Sequence, residues 1–214
     1  MSWMGGLLLA FLVGGIPWSW LAGRFIGGVD LRRVGSGNLG ATNTFRVLGA
    51  RVAIPVLLLD VLKGVVAVLL IAPRCVPPSG LTSATLATLC GVAAILGHMF
   101  PPYLGFRGGK GIATSAGVFA SLEPIPFLLA FTVFALAFLL SGGIVSLGSL
   151  LGSLCLPIAM YAVGMWRGEL DWTRLGLVCA LVAVVWVKHA SNIARLVHRN
   201  ERGLFAGRGV SRHG

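Results

Sequence analysis

The chain has 214 residues, of which 57% are hydrophobic and only 11% are charged, and its mean hydropathy is +0.92. Since soluble domains carry about 25% charged residues, this composition excludes a soluble globular protein. The net charge of +11 is typical of nucleic-acid binding in a soluble protein. In a membrane protein it reflects Lys and Arg in cytoplasmic loops, and we expect no nucleic-acid partner.

Seven apolar segments follow one another along the chain, and a helix needs about 20 apolar residues to cross a bilayer. They lie at 4–22, 53–72, 82–100, 112–122, 124–140, 146–166 and 172–187. The first lacks a basic leader and a small-residue cleavage site, so we interpret it as a retained span. The fourth is short and carries Thr114, Ser115 and Ser121, so a re-entrant half-helix is an alternative there. The sequence predicts an all-α integral membrane protein with one transmembrane domain, residues 1–214.

The distribution of Lys and Arg among the loops separates these alternatives. Seven crossings put 13 of these residues on one side of the membrane and three, Arg74, Arg167 and Arg174, on the other. If the fourth segment turned back, the split would be 9 against 7. Because cytoplasmic loops are enriched in Lys and Arg, the sequence predicts seven transmembrane helices, with the N-terminus outside and the C-terminus cytoplasmic.

Charged residues and cysteines within the apolar segments are interpreted as structural. Asp60 and Lys63 lie three residues apart in the second segment, where charges are costly, so we expect them to pair. The four cysteines show no CxxC spacing, and we expect neither a metal site nor a disulfide. Three lie in apolar runs as small hydrophobic residues, whereas Cys75 is expected to be exposed in an outer loop.

The first long polar connection contains the glycine-rich run from Val34 to Arg46. Its three glycines match G-x-G-x-x-G, but a dinucleotide site needs a preceding strand and a parallel sheet, which do not fit between two spans. Glycines let backbone amides approach an anion, and an arginine can bind phosphate through two nitrogens. We interpret this loop as a phosphate site with donors from Ser36, Thr42, Asn43 and Arg46. The alternative is a glycine turn that enters a helix.

The second polar loop ends in Gly108, Gly109, Lys110 and Gly111 at the start of the fourth segment. It differs from an ATPase phosphate loop at both ends, since Leu104 replaces the first glycine and Gly111 the Ser or Thr after the lysine. Exposed amides, a helix N-terminus and an ammonium group are nevertheless typical of anion binding. His98, at the end of the preceding span, is interpreted as a structural hydrogen-bonding residue.

The third polar segment leaves the last span on the same side of the membrane. His189, Asn192 and Arg195 follow i, i+3, i+6 spacing, so they share one helix face, although a polar juxtamembrane stop is an alternative. Ser146, near the start of the sixth segment, lies on the same side. Three loops thus supply anion-binding groups beneath the hydrocarbon, which indicates a phosphorylated substrate that meets a lipidic one. A transporter or channel for a phosphorylated small molecule is the alternative, but we find no internal repeat.

These segments resemble the three signature motifs of the bacterial acyl-phosphate:glycerol-3-phosphate acyltransferase family. The motifs are G-S-G-N-x-G-A-T-N-x-x-R at 35–46, G-H-x-F-P with a loop ending G-G-K-G at 97–111, and H-x-x-N-[IL]-x-R-L at 189–196. The resemblance implies acyl transfer from acyl phosphate to the 1-hydroxyl of glycerol 3-phosphate, the first step of phospholipid synthesis, at the cytoplasmic face of a bacterial inner membrane. It implies no cofactor and no metal, and as partners the lipid bilayer and the soluble enzyme that makes acyl phosphate.

The resemblance also implies roles for individual residues. The catalytic residues would be Ser36, Arg46, Lys110, His189 and Asn192. The residues that bind substrate or phosphate would be Gly37, Asn38, Thr42, Asn43, Gly108, Gly109, Gly111, Ser146 and Arg195. The base that accepts the proton of the attacking hydroxyl would be either His189 or a phosphate oxygen of a bound substrate. Two positions depart from the family pattern: Ala190-Ser191 and Gly143-Ile144 stand where polar, basic or aromatic residues are usual.

Overall fold

The computed structural model describes residues 1–205, and all of its long elements are helices, which confirms the all-α prediction. The helices are α1 (Trp3–Gly15), α2 (Trp18–Phe25), α3 (Ala41–Leu48), α4 (Ala50–Val66), α5 (Ser83–Met99), α6 (Ile112–Leu122), α7 (Pro124–Leu140), α8 (Val145–Arg167), α9 (Trp172–Lys188) and α10 (Ala190–Val197). α4 continues as a π-helical stretch, Ala67–Ile71, and a 3-10 turn, Ala72–Arg74. Two of the 13 Lys and Arg residues assigned to the cytoplasmic side, Arg208 and Arg212, lie outside the described residues.

Four helical segments among residues 1–205 are long and apolar enough to cross a bilayer: Trp3–Phe25, Ala50–Arg74, Ser83–Leu104 and Val145–Arg167. A fifth results if α9 and α10, bent by 62° at His189, count as one span. α6 has 11 residues and α7 has 17, so at 1.5 Å per residue they fall short of a hydrocarbon core of about 30 Å. The chain is therefore an integral membrane protein with four or five candidate spans, and helix length alone does not confirm seven.

The first predicted span, 4–22, is not one continuous helix. α1 ends at Gly15, and α2 begins at Trp18 after Ile16 and Pro17. Proline has no N–H to donate and clashes with the preceding turn of a helix, so the break falls where the sequence has Pro17. At this break the carbonyl of Ile16 accepts hydrogen bonds from the Trp18 amide and from the Lys63 ammonium, each at 3.1 Å.

Glycines allow the helices around the site to approach at backbone contact. A Cβ on Gly14 of α1 would lie 2.0 Å from the carbonyl oxygen of Ala94, and a Cβ on Gly97 of α5 would lie 2.0 Å from that of Phe11. α4 and α6 meet in the same way, since a Cβ on Gly117 would lie 2.0 Å from the Val61 carbonyl oxygen. Close backbone approach through small residues is typical of membrane helices. It packs α1 against α5 and α4 against α6.

Cys75 is buried, so the prediction of an exposed outer thiol is wrong. Its side chain is 8% exposed, and its Sγ lies 3.3 Å from the Ile71 carbonyl oxygen. The N-terminal residues cover it, because the Met1 ammonium donates to the Arg74 carbonyl at 3.0 Å and the Val76 amide donates to the Met1 carbonyl at 3.1 Å. Hydropathy does not show this packing, since the hydrogen bonds join residues 73 and 75 positions apart.

Two polar clusters lie at opposite ends of the bundle. At one end, Arg174 at the start of α9 pairs with Glu123 of the α6–α7 turn and donates to the Thr88 hydroxyl of α5 at 3.1 Å. At the other end, the C-terminal ends of α5 and α9 meet, where the Lys188 ammonium donates to the Met99 carbonyl at 3.2 Å. The three predicted motifs lie around this second end.

Candidate anion-binding site

A carboxylate that the sequence motifs did not include, Glu201, lies at the centre of the site. Its Oε1 accepts hydrogen bonds from the Ser146 hydroxyl at 2.9 Å and from the Asn192 amide at 2.6 Å. Its Oε2 accepts from the Arg195 guanidinium at 2.5 Å. Burial alone would raise the pKa of this carboxyl, but the donors outweigh burial and hold its pKa below the usual value. Groups that satisfy a carboxylate in this way are also suited to bind phosphate oxygens.

Lys110 joins the second loop to this cluster, because its ammonium donates to the Oδ1 of Asn192. Burial is the main cause that lowers the pKa of Lys110 to about 8. The positive charges of Arg195, Arg46 and Lys188 lower it further, whereas Glu201 opposes the shift. Lys110 therefore lies among other cations in a half-buried position, an arrangement that favours binding of an anion.

Arg46 reaches the same cluster from α3. Its guanidinium donates to the Arg202 carbonyl at 2.9 Å, one residue beyond Glu201. Residues 201–205 cross the end of the bundle here, since the Leu204 amide donates to the Gly143 carbonyl at 2.7 Å and the Phe205 ring packs edge-on against Phe45 and Phe138. This segment links the first loop to the α7–α8 turn.

The side chain of Asn43 does not face the site. It is 1% exposed; its Oδ1 accepts from the Ser36 amide at 2.8 Å, and its Nδ2 donates to the carbonyls of Leu31 and Val34. All its bonds thus organise the glycine-rich loop, and it is not available as the phosphate donor that the sequence suggested. The Ser36 side chain remains exposed at the loop. Gly35 and Gly37 have φ of +64° and +71°, a region that strongly favours glycine.

The amides of Gly108 and Gly109 are also engaged within the protein, contrary to their predicted role as phosphate donors. The Gly108 amide donates to the Met99 carbonyl at 3.2 Å, and the Gly109 amide donates to the His98 carbonyl at 3.1 Å. Both glycines thereby cap the C-terminal end of α5. The amides that remain for an anion are those of the first turn of α6, which begins at Ile112 after Gly111.

His189 lies at the bend between α9 and α10 and is 2% exposed. Its Nδ1 lies 2.8 Å from the Val185 carbonyl oxygen; since a carbonyl only accepts, Nδ1 carries the proton and Nε2 is left as an acceptor. Burial is the main cause that lowers the pKa of His189 to about 4, and the Lys110 charge adds to this effect. The ring is therefore neutral at physiological pH.

The structure brings together one part of the predicted site and leaves the other part in supporting positions. Five of the predicted residues lie around Glu201: Arg46, Lys110, Ser146, Asn192 and Arg195. His189 is close enough to Lys110 and Glu201 for their charges to affect its pKa. The remaining predicted residues line the two glycine-rich loops beside the cluster: Ser36, Gly37, Asn38, Thr42, Asn43, Gly108, Gly109 and Gly111.

Two residues outside the predicted site contribute to this region. Glu201 is the last acidic residue of the chain and the only one after Asp171, so its isolated negative charge in a basic tail distinguishes it in the sequence. Thr44 is fully buried, and its hydroxyl lies 2.9 Å from that of Ser19 on α2. This contact anchors α3, and with it Arg46, to the first membrane segment.

Comparison with protein families gives a match over most of the chain. A family model described as glycerol-3-phosphate acyltransferase matches residues 4–199. A glycerol-3-phosphate acyltransferase of Desulfotalea psychrophila is 42% identical over 195 residues, which cover 91% of this chain and 94% of that protein. Glycerol-3-phosphate acyltransferase 1 of Deinococcus radiodurans is 44% identical over 199 residues, 92% of this chain and 93% of that protein.

Two crystal structures have a similar fold. Both are of PlsY (YgiH), an integral membrane glycerol 3-phosphate acyltransferase. The glycerol 3-phosphate form has a TM-score of 0.80 and 33% sequence identity, and covers 94% of both chains. The lysophosphatidic acid form has a TM-score of 0.78 and 32% identity, with the same coverage.

Proposed function

Because this chain belongs to the glycerol-3-phosphate acyltransferase family, we propose that it transfers a fatty acyl group from acyl phosphate to the 1-hydroxyl of glycerol 3-phosphate. The products are 1-acylglycerol 3-phosphate (lysophosphatidic acid) and inorganic phosphate, and the reaction is the first step of phospholipid synthesis. The observation that carries this proposal is the convergence of Arg46, Lys110 and Arg195 on one small site at the ends of the membrane helices.

The proposed binding mode follows from the charges of the site. Each substrate carries a phosphate, and the three cations, with the first turn of α6, form charge-assisted hydrogen bonds to phosphate oxygens. The Ser146 hydroxyl and the Asn192 amide, which both contact Glu201, are further donors. An acyl chain fits this arrangement because the site lies directly against apolar helix ends, so the chain remains in hydrocarbon while the phosphate meets the cations.

The proposed reaction is a single acyl transfer. The 1-hydroxyl oxygen of glycerol 3-phosphate attacks the carbonyl carbon of the acyl phosphate, the new C–O ester bond forms, and the bond from that carbon to the phosphate oxygen breaks. Negative charge accumulates on the departing phosphate, where Arg46 and Lys110 stabilise it. The acyl phosphate is already an activated donor, and the protein lowers the activation barrier by positioning the substrates and by electrostatic contacts.

The proton of the attacking hydroxyl goes to a phosphate oxygen of a bound substrate in this proposal. Burial lowers the pKa of His189 to about 4, whereas phosphate monoesters have a second pKa of about 6. A base works best when its pKa lies near the working pH, which favours the phosphate. The unprotonated Nε2 of His189 accepts a hydrogen bond from the glycerol hydroxyl and so orients it.

We further propose seven crossings, with the N-terminus outside and the active site at the cytoplasmic face of a bacterial inner membrane. The Glu123–Arg174 pair supports this topology, because it joins the α6–α7 turn to the start of α9, at the end of the bundle opposite to Lys110. α6 thus runs from one end of the bundle towards the other despite its short length. A cytoplasmic site is also accessible to soluble glycerol 3-phosphate and to the soluble enzyme that makes acyl phosphate.

The test is an assay of the purified protein with palmitoyl phosphate and glycerol 3-phosphate. We expect lysophosphatidic acid and inorganic phosphate in equal amounts, release of phosphate only when glycerol 3-phosphate is present, and no product from palmitoyl-CoA. Lys110→Ala should lower kcat/KM about tenfold to a hundredfold, because a charge-assisted contact contributes about 1.5–3 kcal/mol. Arg46→Lys should also lower kcat/KM, because an ammonium cannot bind phosphate through two nitrogens as a guanidinium does. Equal rates with palmitoyl-CoA would contradict the proposed donor.

A matched control is Arg51→Ala, since Arg51 is an exposed cation at the start of α4. It removes the same charge from the protein without touching the cluster around Glu201. Its kcat/KM should stay near that of the native enzyme. If it fell as far as that of Lys110→Ala, net charge rather than the site would explain the loss.

A further inference from the structure

Three ionisable side chains lie buried together directly behind the two glycine-rich loops. Asp60 is 1% exposed, Lys63 4% and His98 9%. The Lys63 ammonium lies 2.8 Å from Asp60 Oδ1 and 3.0 Å from His98 Nδ1, and His98 Nδ1 lies 3.5 Å from Asp60 Oδ1. We call these three residues the buried triad.

The triad contacts the backbone of elements that carry or adjoin the site. Lys63 donates to the carbonyl of Ile16 at the α1–α2 break. Because an ammonium only donates, His98 Nδ1 accepts from Lys63, and the neutral ring carries its proton on Nε2. That Nε2 lies against the second loop, since a Cβ on Gly109 would be 2.1 Å from it.

The two loops touch each other at the same point. The added Cβ on Gly109 would also lie 2.3 Å from the carbonyl oxygen of Leu39, which belongs to the first loop and is 4% exposed. The His98 ring, Gly109 and Leu39 are therefore packed against one another. His98 contacts Gly109 in two ways: its ring packs against the Gly109 Cα, and its backbone carbonyl accepts a hydrogen bond from the Gly109 amide at 3.1 Å.

The space beside the triad is too small for a substrate. The cavity there is about 10 Å³ and is lined by Trp18, Asp60, Lys63, His98 and Gly109 among others, so it holds at most one water molecule. Because the three side chains are buried and this cavity is small, we assign them no direct contact with substrate. A role in stability alone is also a poor explanation, because apolar side chains of similar volume commonly stabilise a buried site as well as an ion pair does.

We propose that Asp60, Lys63 and His98 are positioning residues: as a charge-paired unit they fix the first loop, the second loop and the α1–α2 break relative to one another. This arrangement of the two loops sets the distance between the Arg46 guanidinium and the Lys110 ammonium. The inference rests on the proposed function, because its readout is the acyl-transfer reaction.

The experiment compares three variants with the native enzyme. Asp60→Asn combined with Lys63→Met removes both charges and leaves no unpaired buried ion. His98→Asn keeps an acceptor for Lys63 but removes the Nε2 end of the ring. Both should unfold within a few degrees of the native protein in detergent, while kcat/KM for glycerol 3-phosphate falls at least tenfold. Inorganic phosphate should inhibit both more weakly by a similar factor. The third variant, Glu123→Gln, is the control, because it breaks a partly buried ion pair at the opposite end of the bundle.

Glu123→Gln should lower the thermal stability and leave kcat/KM unchanged. If the folded triad variants keep kcat/KM within threefold of the native value, the triad is only structural and the proposal is overturned. The same holds if both triad variants fail to fold while Glu123→Gln folds. Failure of the proposed function is a different result, since the native protein itself would then give no lysophosphatidic acid.

Discussion

Single residues of the site differ in how far the sequence predicts them. The charge of Lys110 and its position before a helix are evident in the sequence, and the structure joins it to Asn192. The roles of Gly108 and Gly109 are not evident from the sequence. They depend on whether the two backbone amides donate hydrogen bonds to carbonyls of α5, as they do here, or to a bound anion. Asn43 is similar, since its amide is satisfied by backbone groups 7 to 12 residues away.

The pH dependence of kcat/KM is predicted from two residues of the site. Lys110, with its pKa lowered to about 8, is charged below that pH and neutral above it, so kcat/KM should fall as the pH rises through about 8. Lys110→Arg should remove this basic limb, because arginine stays charged. The acidic limb should follow the substrate phosphate near pH 6 and persist in His189→Gln.

The measurement is the initial rate at low substrate concentration from pH 4 to pH 10, with stability checked at each pH. An acidic limb near pH 4 that disappears in His189→Gln would instead identify His189 as the base. A basic limb that is unchanged in Lys110→Arg would show that another group titrates there.

At the scale of helices, hydropathy predicts where most elements lie. The predicted segments 124–140 and 146–166 agree with α7 and α8 to within one residue at each end. The break at Pro17 was not predicted, because the apolar run continues across it. The bend of 62° at His189 was not predicted either, because the polar residues on both sides of it keep a helical spacing. Both interruptions adjoin functional elements: the first contains the Ile16 carbonyl that Lys63 binds, and the second contains His189.

The contact between α1 and α5 gives a prediction on stability. Gly97→Ala should be destabilising, because the added methyl meets the Phe11 backbone oxygen at 2.0 Å, and overpacking costs about 1–3 kcal/mol. For a chain of this size that corresponds to a Tm lower by about 2–4 °C per kcal/mol. Thermal unfolding in detergent, followed by tryptophan fluorescence, measures it.

Gly176→Ala on α9 is the matched control for that helix contact. Its Cβ would meet no atom within 4 Å, and alanine has a higher helix propensity than glycine. Its Tm should therefore be equal to or higher than the native value. Equal losses in the two variants would mean that glycine is needed in these helices for a reason other than close packing.

For the whole molecule, the membrane topology can be tested with introduced cysteines. The native Cys75 and Cys90 are buried, so they are poor reporters. Glu169, in the α8–α9 turn, and Ser191, at the start of α10, are both exposed. In intact spheroplasts an impermeant maleimide should label Glu169→Cys and should not label Ser191→Cys, and breaching the membrane should expose both.

The native chain, assayed in parallel, gives the background from the native cysteines; Cys179 is on the outer surface of α9, but it lies in the middle of that proposed span and faces lipid. Labelling of Ser191→Cys alone in intact cells would contradict the proposed topology, since a reversed orientation and a re-entrant fourth segment both put the α8–α9 turn in the cytoplasm and the C-terminal tail outside. Protection of both positions until lysis would show that α9 does not cross the membrane.

The groups around Glu201 come from nearly the whole length of the chain, beginning with Arg46 on α3. A ribosome adds about 5–20 residues per second, so Glu201 is synthesised roughly 8–30 s after Arg46. During that interval the early helices already occupy the membrane, while the carboxylate that gathers Ser146, Asn192 and Arg195 does not yet exist. The cluster that joins α3, α8 and α10 at Glu201 can therefore form only in chains whose translation has passed residue 201.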